Sequence, residues 1–243
     1  MVKKTLRPAI AMIELIFAIV IIGIVLMTAP MLMGTAAKSG YLAIQQENIN
    51  EAASRVSMIM GYYWDEGNVR NNTSHTILKT DSSVSDLNEM NRTVNITAVE
   101  GYRVGTPIES LRNFKGPGNS RINASSILGL EGIKDDIDDF IGAPTGLDSL
   151  GTGTGTDYIE KDILIKTSII YIDDDTVERN YNHSSITFNP NFNHPINTET
   201  RNIKAITVTL TSDSSSPNEL DKNITLRAFS CNIGGYKLEE GNF

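Results

Sequence analysis

The sequence predicts an α+β protein in which a long N-terminal helix packs on an antiparallel β-sheet head. Residues 10–33 form an apolar run with one charge, long enough for a helix to cross a bilayer core of about 30 Å. Residues 34–64 continue with helical apolar spacing, and the last third of the chain is rich in β-branched runs. A helical stripe laid across an antiparallel sheet gives a stable two-layer core.

The one charge in the apolar run is Glu14. A carboxylate at the centre of a membrane helix costs about 2.5 to 3.5 kcal/mol on insertion scales, and less near the membrane interface. Two interpretations follow. The run is either a signal anchor that tolerates an acidic residue near its interface, or a membrane helix whose carboxylate has a function.

A basic leader, residues 1–9, comes before the apolar run and ends in the small residue Ala9. It contains Lys3, Lys4 and Arg7, and the sequence IAMIELIFAIVIIGIVLMTAP follows it. This pattern resembles the N-terminus of the type IV pilin superfamily, which includes type IV pilins, type II secretion pseudopilins and competence pseudopilins. The family usually has glycine before the cleavage point and often phenylalanine after it, where this chain has alanine and isoleucine.

The resemblance implies that a prepilin peptidase cuts between Ala9 and Ile10 and methylates the new amine of Ile10. Glu14 then takes the fifth mature position, where the family has a glutamate. Secretory signal peptides are cut after their apolar segment, whereas here the small residue comes first. The apolar segment is therefore expected to stay with the mature protein.

Residues 34–64 are predicted to continue the helix as an amphipathic segment that docks on the head. A helix from Ile10 to about Tyr63 would be about 80 Å long, too long for a membrane alone. Pro30 removes one backbone hydrogen bond and is expected to kink or locally melt the helix. It is either an ordinary membrane-helix proline or, as the resemblance implies, a point of local unwinding during filament entry. The predicted apolar stripe comprises Leu42, Ile49, Ala52, Val56, Ile59 and Tyr63.

The head, residues 65–243, is predicted to be β-rich with long polar loops. Thr93–Val99 alternates like one short strand, and Ser126–Leu130 is expected in a turn or a helix. The last two of the later strands are predicted to form an antiparallel hairpin. The predicted later strands are Ile163–Ile172, Ser185–Phe188, Ile203–Leu210 and Ile224–Ile233.

Composition excludes several classes of protein. The single cysteine, Cys231, permits no intrachain disulfide and is expected to be a small buried apolar residue. The net charge is −8, and removing the three cations of the leader leaves −11, which argues against nucleic acid as the main partner. Neither zinc-binding spacing nor a nucleophile motif is present, so the sequence predicts no enzyme. The three histidines, His75, His183 and His194, lie in polar loop sequence.

Two acidic clusters are candidates for binding calcium as a cofactor, because calcium takes six to eight oxygen ligands. Neither cluster has EF-hand spacing, so solvated acidic turns are the alternative. The first cluster, in KDDIDDFIG, also resembles an Asp-Asp-x-Asp-Asp-aromatic-Gly segment of minor pilins of the mannose-sensitive haemagglutinin type. The clusters are Asp135, Asp136, Asp138 and Asp139, then Asp173, Asp174 and Asp175.

Together these features predict a minor pilin or pseudopilin, a structural subunit of a type IV pilus-like or type II secretion filament. The Glu14 carboxylate would pair with the Ile10 amine of a neighbouring subunit in the apolar filament core. The expected partners are other pilin subunits, the prepilin peptidase and lipid of the bacterial inner membrane, with the head in the periplasm or on an extracellular filament. The alternative is a single-pass anchored extracytoplasmic binding module or adhesin that never polymerises.

Overall fold

The computed structural model describes the chain in segments, and its contacts divide the chain into two units, one ending at Glu47 and one beginning at Asn48. The described residues are 7–69, 76–82, 84, 87, 92–94, 97–99, 101–103, 106, 112–116, 120–143, 145–146, 163–174, 184–185, 195–196, 199–212 and 223–235.

A single helix, α1, runs from Arg7 to Met60 and confirms the long N-terminal helix predicted between Ile10 and Tyr63. In the first unit every side chain from Ala11 to Ala43 is exposed. Pro30 lies inside α1, which stays helical on both sides of it, so the helix is not melted there. A kink at Pro30 and unwinding on filament entry stay predictions. A proline removes only one backbone hydrogen bond, and helices rich in apolar residues tolerate that loss.

In the second unit, the end of α1 from Asn48 to Met60 contributes to the core of the head. Ala52 and Ile59 are fully buried, as predicted, and the Arg55 Nε–H donates to Thr167 Oγ1 at 3.0 Å. The predicted stripe is wrong at three positions, because Leu42, Ile49 and Tyr63 are exposed. Tyr63 lies beyond the end of α1 at Met60, and Leu42 and Ile49 belong to a different column of the helix from Ala52 and Ile59, which are buried.

Among the described residues of the second unit, short helices include α2, Glu66–Val69, and a 3-10 helix, Asp138–Phe140. Thr93–Val99 is not one strand, because β1, Arg92–Val94, pairs antiparallel with β2, Thr97–Val99. Residues 126–130 form bends without helix, which is the turn that the sequence allowed.

The described part of the head contains an antiparallel sheet of five strands that confirms the β-rich prediction. Strand β4, Ile163–Ile172, has its predicted bounds. Strand β6, Ile203–Ser212, extends two residues further than expected, and β7, Ile224–Cys231, ends two residues earlier. The β6–β7 hairpin is confirmed, and β4 pairs with the other side of β6. The predicted strand Ser185–Phe188 lies outside the described residues apart from Ser185. The strands are β3, Thr145–Gly146, β4, Ile163–Ile172, β5, Pro195–Ile196, β6, Ile203–Ser212, and β7, Ile224–Cys231.

Strand alternation places one buried face on the sheet. Ile165 pairs with Leu210 and Ile169 with Ile206, and all four side chains are buried. The same alternation continues to the pair of Tyr171 and Lys204 at the end of the two strands. A lysine therefore occupies a core position of the sheet.

Candidate functional site

The processing segment lies at the start of α1. Ala9 and Ile10 belong to the helix, and Glu14 is exposed on it. Large apolar side chains around Glu14 are exposed too, for example Phe17 at 63 % and Leu26 at 69 %. The helix contains a stretch long and apolar enough to cross a membrane, and none of that stretch is buried within the chain. A continuous apolar surface of this extent indicates burial in lipid or against other chains.

A second candidate site lies inside the head and was not predicted. We call it the Lys204 cluster, which comprises Asp65, Asp136, Asp138, Tyr171 and Lys204. The side chains of Lys204 and Asp65 are fully buried and that of Asp138 is 4 % exposed. A lysine almost never reaches full burial unless its charge is paired.

Three oxygen atoms surround the Lys204 ammonium. Its Nζ donates to the Trp64 carbonyl at 2.8 Å, to Asp65 Oδ2 at 3.1 Å, and to Asp138 Oδ1 in its shortest contact. Two aromatic rings complete the enclosure, because Nζ lies 4.6 Å from the ring centroid of Trp64 and 5.4 Å from that of Tyr171. All three N–H donors therefore have acceptors, and cation–π contacts replace water on the remaining side.

Asp65 is held by the turn that begins helix α2. Its Oδ1 accepts the Gly67 backbone N–H at 3.0 Å, as an aspartate directly before a helix typically does. The Ser125 N–H reaches Oδ2 at 3.1 Å, and the Tyr171 hydroxyl donates to the Ser125 carbonyl at 2.7 Å. These contacts hold the carboxylate beside Lys204.

Asp136 and Asp139 satisfy the backbone of their own loop. Asp136 Oδ1 accepts the N–H groups of Asp138 at 2.9 Å and Asp139 at 3.2 Å. In return, Asp139 Oδ2 accepts those of Asp135 at 2.9 Å and Asp136 at 3.0 Å. The Ile137 N–H donates to the Tyr63 carbonyl at 2.9 Å, which brings the loop alongside Asp65.

The description of this cluster as a solvated acidic turn is wrong for three of its four aspartates. Asp136, Asp138 and Asp139 are each less than 5 % exposed, because their carboxylates hold the loop backbone or Lys204. Asp135 is half-buried. In the described part of the chain, no three His, Cys, Asp or Glu side chains form a group that could hold a metal ion. Calcium binding stays a prediction.

The second acidic cluster is also structural in the part that is described. Asp174 is fully buried, and its Oδ2 accepts the N–H of Asn202 at 3.0 Å and its side-chain amide at 2.7 Å. Asp173 is half-buried, with an oxygen 3.6 Å from Arg201 Nε. Asp175 lies outside the described residues, as do His75, His183 and His194.

Burial is the largest cause of the raised pKa values of Asp136, Tyr171 and Cys231. Loss of hydration, reinforced by the neighbouring Asp138 carboxylate, raises the pKa of Asp136 to about 7. Burial also raises the pKa of the Tyr171 hydroxyl, with a further contribution from Asp65. Cys231 is half-buried rather than fully buried, and loss of hydration raises the pKa of its thiol.

The Lys204 cluster places the Lys204 amine within contact distance of two carboxyl groups, those of Asp65 and Asp138, and all three side chains are buried. The signal that could have revealed it is the alternation of β6, in which Lys204 has the same parity as the apolar residues Ile206, Val208 and Leu210. Asp65 and Asp138 carry no comparable signal, because only the tertiary fold brings them to the strand.

Searches of protein-family models, curated proteins and solved structures found no match to this chain.

Proposed function

We propose that this chain is a minor pilin or pseudopilin, a subunit of a type IV pilus-like or type II secretion filament that is processed after Ala9. The observation that carries the proposal is the exposed apolar surface of α1, on which Glu14 is the one charge between Ala11 and Met33. The long helix and the antiparallel sheet are compatible with a pilin-like architecture.

The proposal assigns an electrostatic role to Glu14. A carboxylate buried in an apolar surrounding without a partner costs several kcal/mol, so assembly of the apolar helices requires a cation beside it. Residues 11–33 contain no Lys or Arg. Cleavage after Ala9 creates the missing cation at the Ile10 amine, and pairing with the amine of a neighbouring subunit sets the register between helices.

The first test is the mature N-terminus. The full chain is purified from the membranes of a strain that carries a prepilin peptidase, and its N-terminal peptide is measured by mass spectrometry. We expect a peptide that begins at a methylated Ile10. An intact Met1, in a chain that co-purifies with no filament, would refute the proposal and favour the anchored binding module.

The second test replaces the charge. Glu14→Leu should remain in the membrane fraction but fall at least tenfold in sheared filaments, since the Ile10 amine of its neighbour loses its partner. Glu47→Leu is the matched control, because Glu47 is an exposed glutamate of the same helix outside the apolar run. Wild-type incorporation of the Glu14 variant would contradict the register role.

A further inference from the structure

We propose that Lys204 and Asp138 join in an intramolecular amide bond, with Asp65 as the proton acceptor of the reaction. The bond would link the 3-10 helix to strand β6 and close a loop between residues 66 positions apart in the chain. This modification is independent of the proposed function, because it needs only the folded head.

The geometry aligns the reacting groups. Asp138 Oδ1 is the closest oxygen to Lys204 Nζ, ahead of the Trp64 carbonyl and Asp65 Oδ2. Strand pairing of Lys204 with Tyr171 holds the lysine, and the loop hydrogen bonds to Asp136 hold Asp138. Groups held this way in intramolecular reactions reach effective concentrations of about 10⁵ to 10⁸ M.

The surroundings favour the amide over the ion pair. The lysine is fully buried between the rings of Trp64 and Tyr171, where isolated charges are poorly stabilised. One ammonium there faces the carboxyl groups of Asp65 and Asp138, with Asp136 also buried nearby. Condensation removes two of these buried charges and expels water from a closed site.

The reaction balances without any co-reactant. Asp65 takes a proton from Lys204 Nζ and passes it to Asp138 Oδ1, and the neutral amine attacks Cγ of that carboxyl group. The Nζ–Cγ bond forms, the Cγ–Oδ1 bond breaks, and Oδ1 leaves as water with two of the three ammonium protons. The third proton stays on the amide nitrogen, and no oxidation or reduction occurs.

One backbone group is placed to stabilise the transition state. The Gly129 N–H donates to Asp138 Oδ2 at 3.2 Å, and Oδ2 is the oxygen that remains as the amide carbonyl. A donor aimed at the oxygen where negative charge develops lowers the barrier to acyl transfer. Gly129 has φ of +128°, a conformation that favours glycine and orients this N–H.

The test is a peptide map of the full chain, denatured and digested with trypsin. We expect peptide 135–161 to be joined to residues 202–222, with a mass lower than the sum of the two by one water and with no cleavage after Lys204. Lys166, exposed on β4, should be cleaved normally in the same digest. Cleavage after Lys204 with peptide 135–161 at its unmodified mass would overturn the proposal.

Variants then assign the partners. Asp138→Ala should restore cleavage after Lys204, while a linked peptide that persists in this variant would overturn Asp138 as the partner. Asp65→Asn should slow formation of the linked peptide at least tenfold after refolding. Lys204→Arg should give no linked peptide and serves as the blank. Wild-type rates in Asp65→Asn would overturn the proton-acceptor role.

Discussion

The end of helix α1 is expected to stabilise the head, and Ile59 tests this most directly. Ile59 is fully buried, and replacing it with Ala removes three carbon atoms. At about 0.8 kcal/mol for each buried carbon, the lost transfer free energy is roughly 2.4 kcal/mol. A residual cavity adds to this loss, so we expect a decrease of about 3 kcal/mol in the free energy of unfolding.

Met58→Ala is the matched control, because Met58 lies next to Ile59 on the same helix and is 45 % exposed. The full chain in detergent would be unfolded by heat, with the Trp64 fluorescence as the probe of the head. For a domain of this size we expect Ile59→Ala to lower Tm by roughly 6 to 12 °C. Equal small shifts for both variants would show that α1 does not support the head.

Two further perturbations concern buried polar groups. The raised pKa of Asp136 means that the folded head binds this proton more tightly than the unfolded chain does, so its contribution to stability is present at low pH and is lost as pH rises to about 7. Asp136→Asn should therefore raise the free energy of unfolding over wild type by up to roughly 4 kcal/mol above pH 7 and by little below pH 4. Urea unfolding at a series of pH values measures this difference, and a difference that does not change with pH would contradict the expectation. Asn232→Ala should lower the free energy of unfolding by about 2 to 4 kcal/mol. The Asn232 side chain accepts the N–H of buried Leu78 at 3.0 Å and donates to the Leu78 carbonyl at 2.6 Å, and both bonds are lost in the variant. The exposed Asn123→Ala is its control in the same unfolding assay, and equal losses in the two variants would contradict the role of Asn232.

The long helix and the sheet of the head could be predicted because their signals are local. The apolar run of the helix and the β-branched strands Ile163–Ile172 and Ile203–Ser212 can each be recognised from the apolar residues of that segment alone. The prediction is wrong where periodicity alone had to choose the buried side of the helix. The spacing of seven marks two columns of apolar residues, and only the one through Ala52 and Ile59 is fully buried, whereas Leu42 and Ile49 are exposed.

The Lys204 cluster shows the limit of local signals. Aspartates in KDDIDDFIG have the composition of a solvated loop, yet three of them are buried. Their burial depends on the backbone N–H groups that they accept and on a lysine 66 positions from Asp138. Composition describes what a residue favours alone, whereas burial is decided by the partners that the fold supplies.

The sequence by itself determined an N-terminal apolar run in which Glu14 is the one charge, joined to a β-rich head, because hydrophobic period and charge are properties of contiguous residues. Only the tertiary structure decided that Asp65, Asp138 and Lys204 meet inside that head, since up to 139 positions separate these residues. Strand pairing and loop hydrogen bonds bring them together, so three residue types that are usually exposed form one buried, hydrogen-bonded cluster.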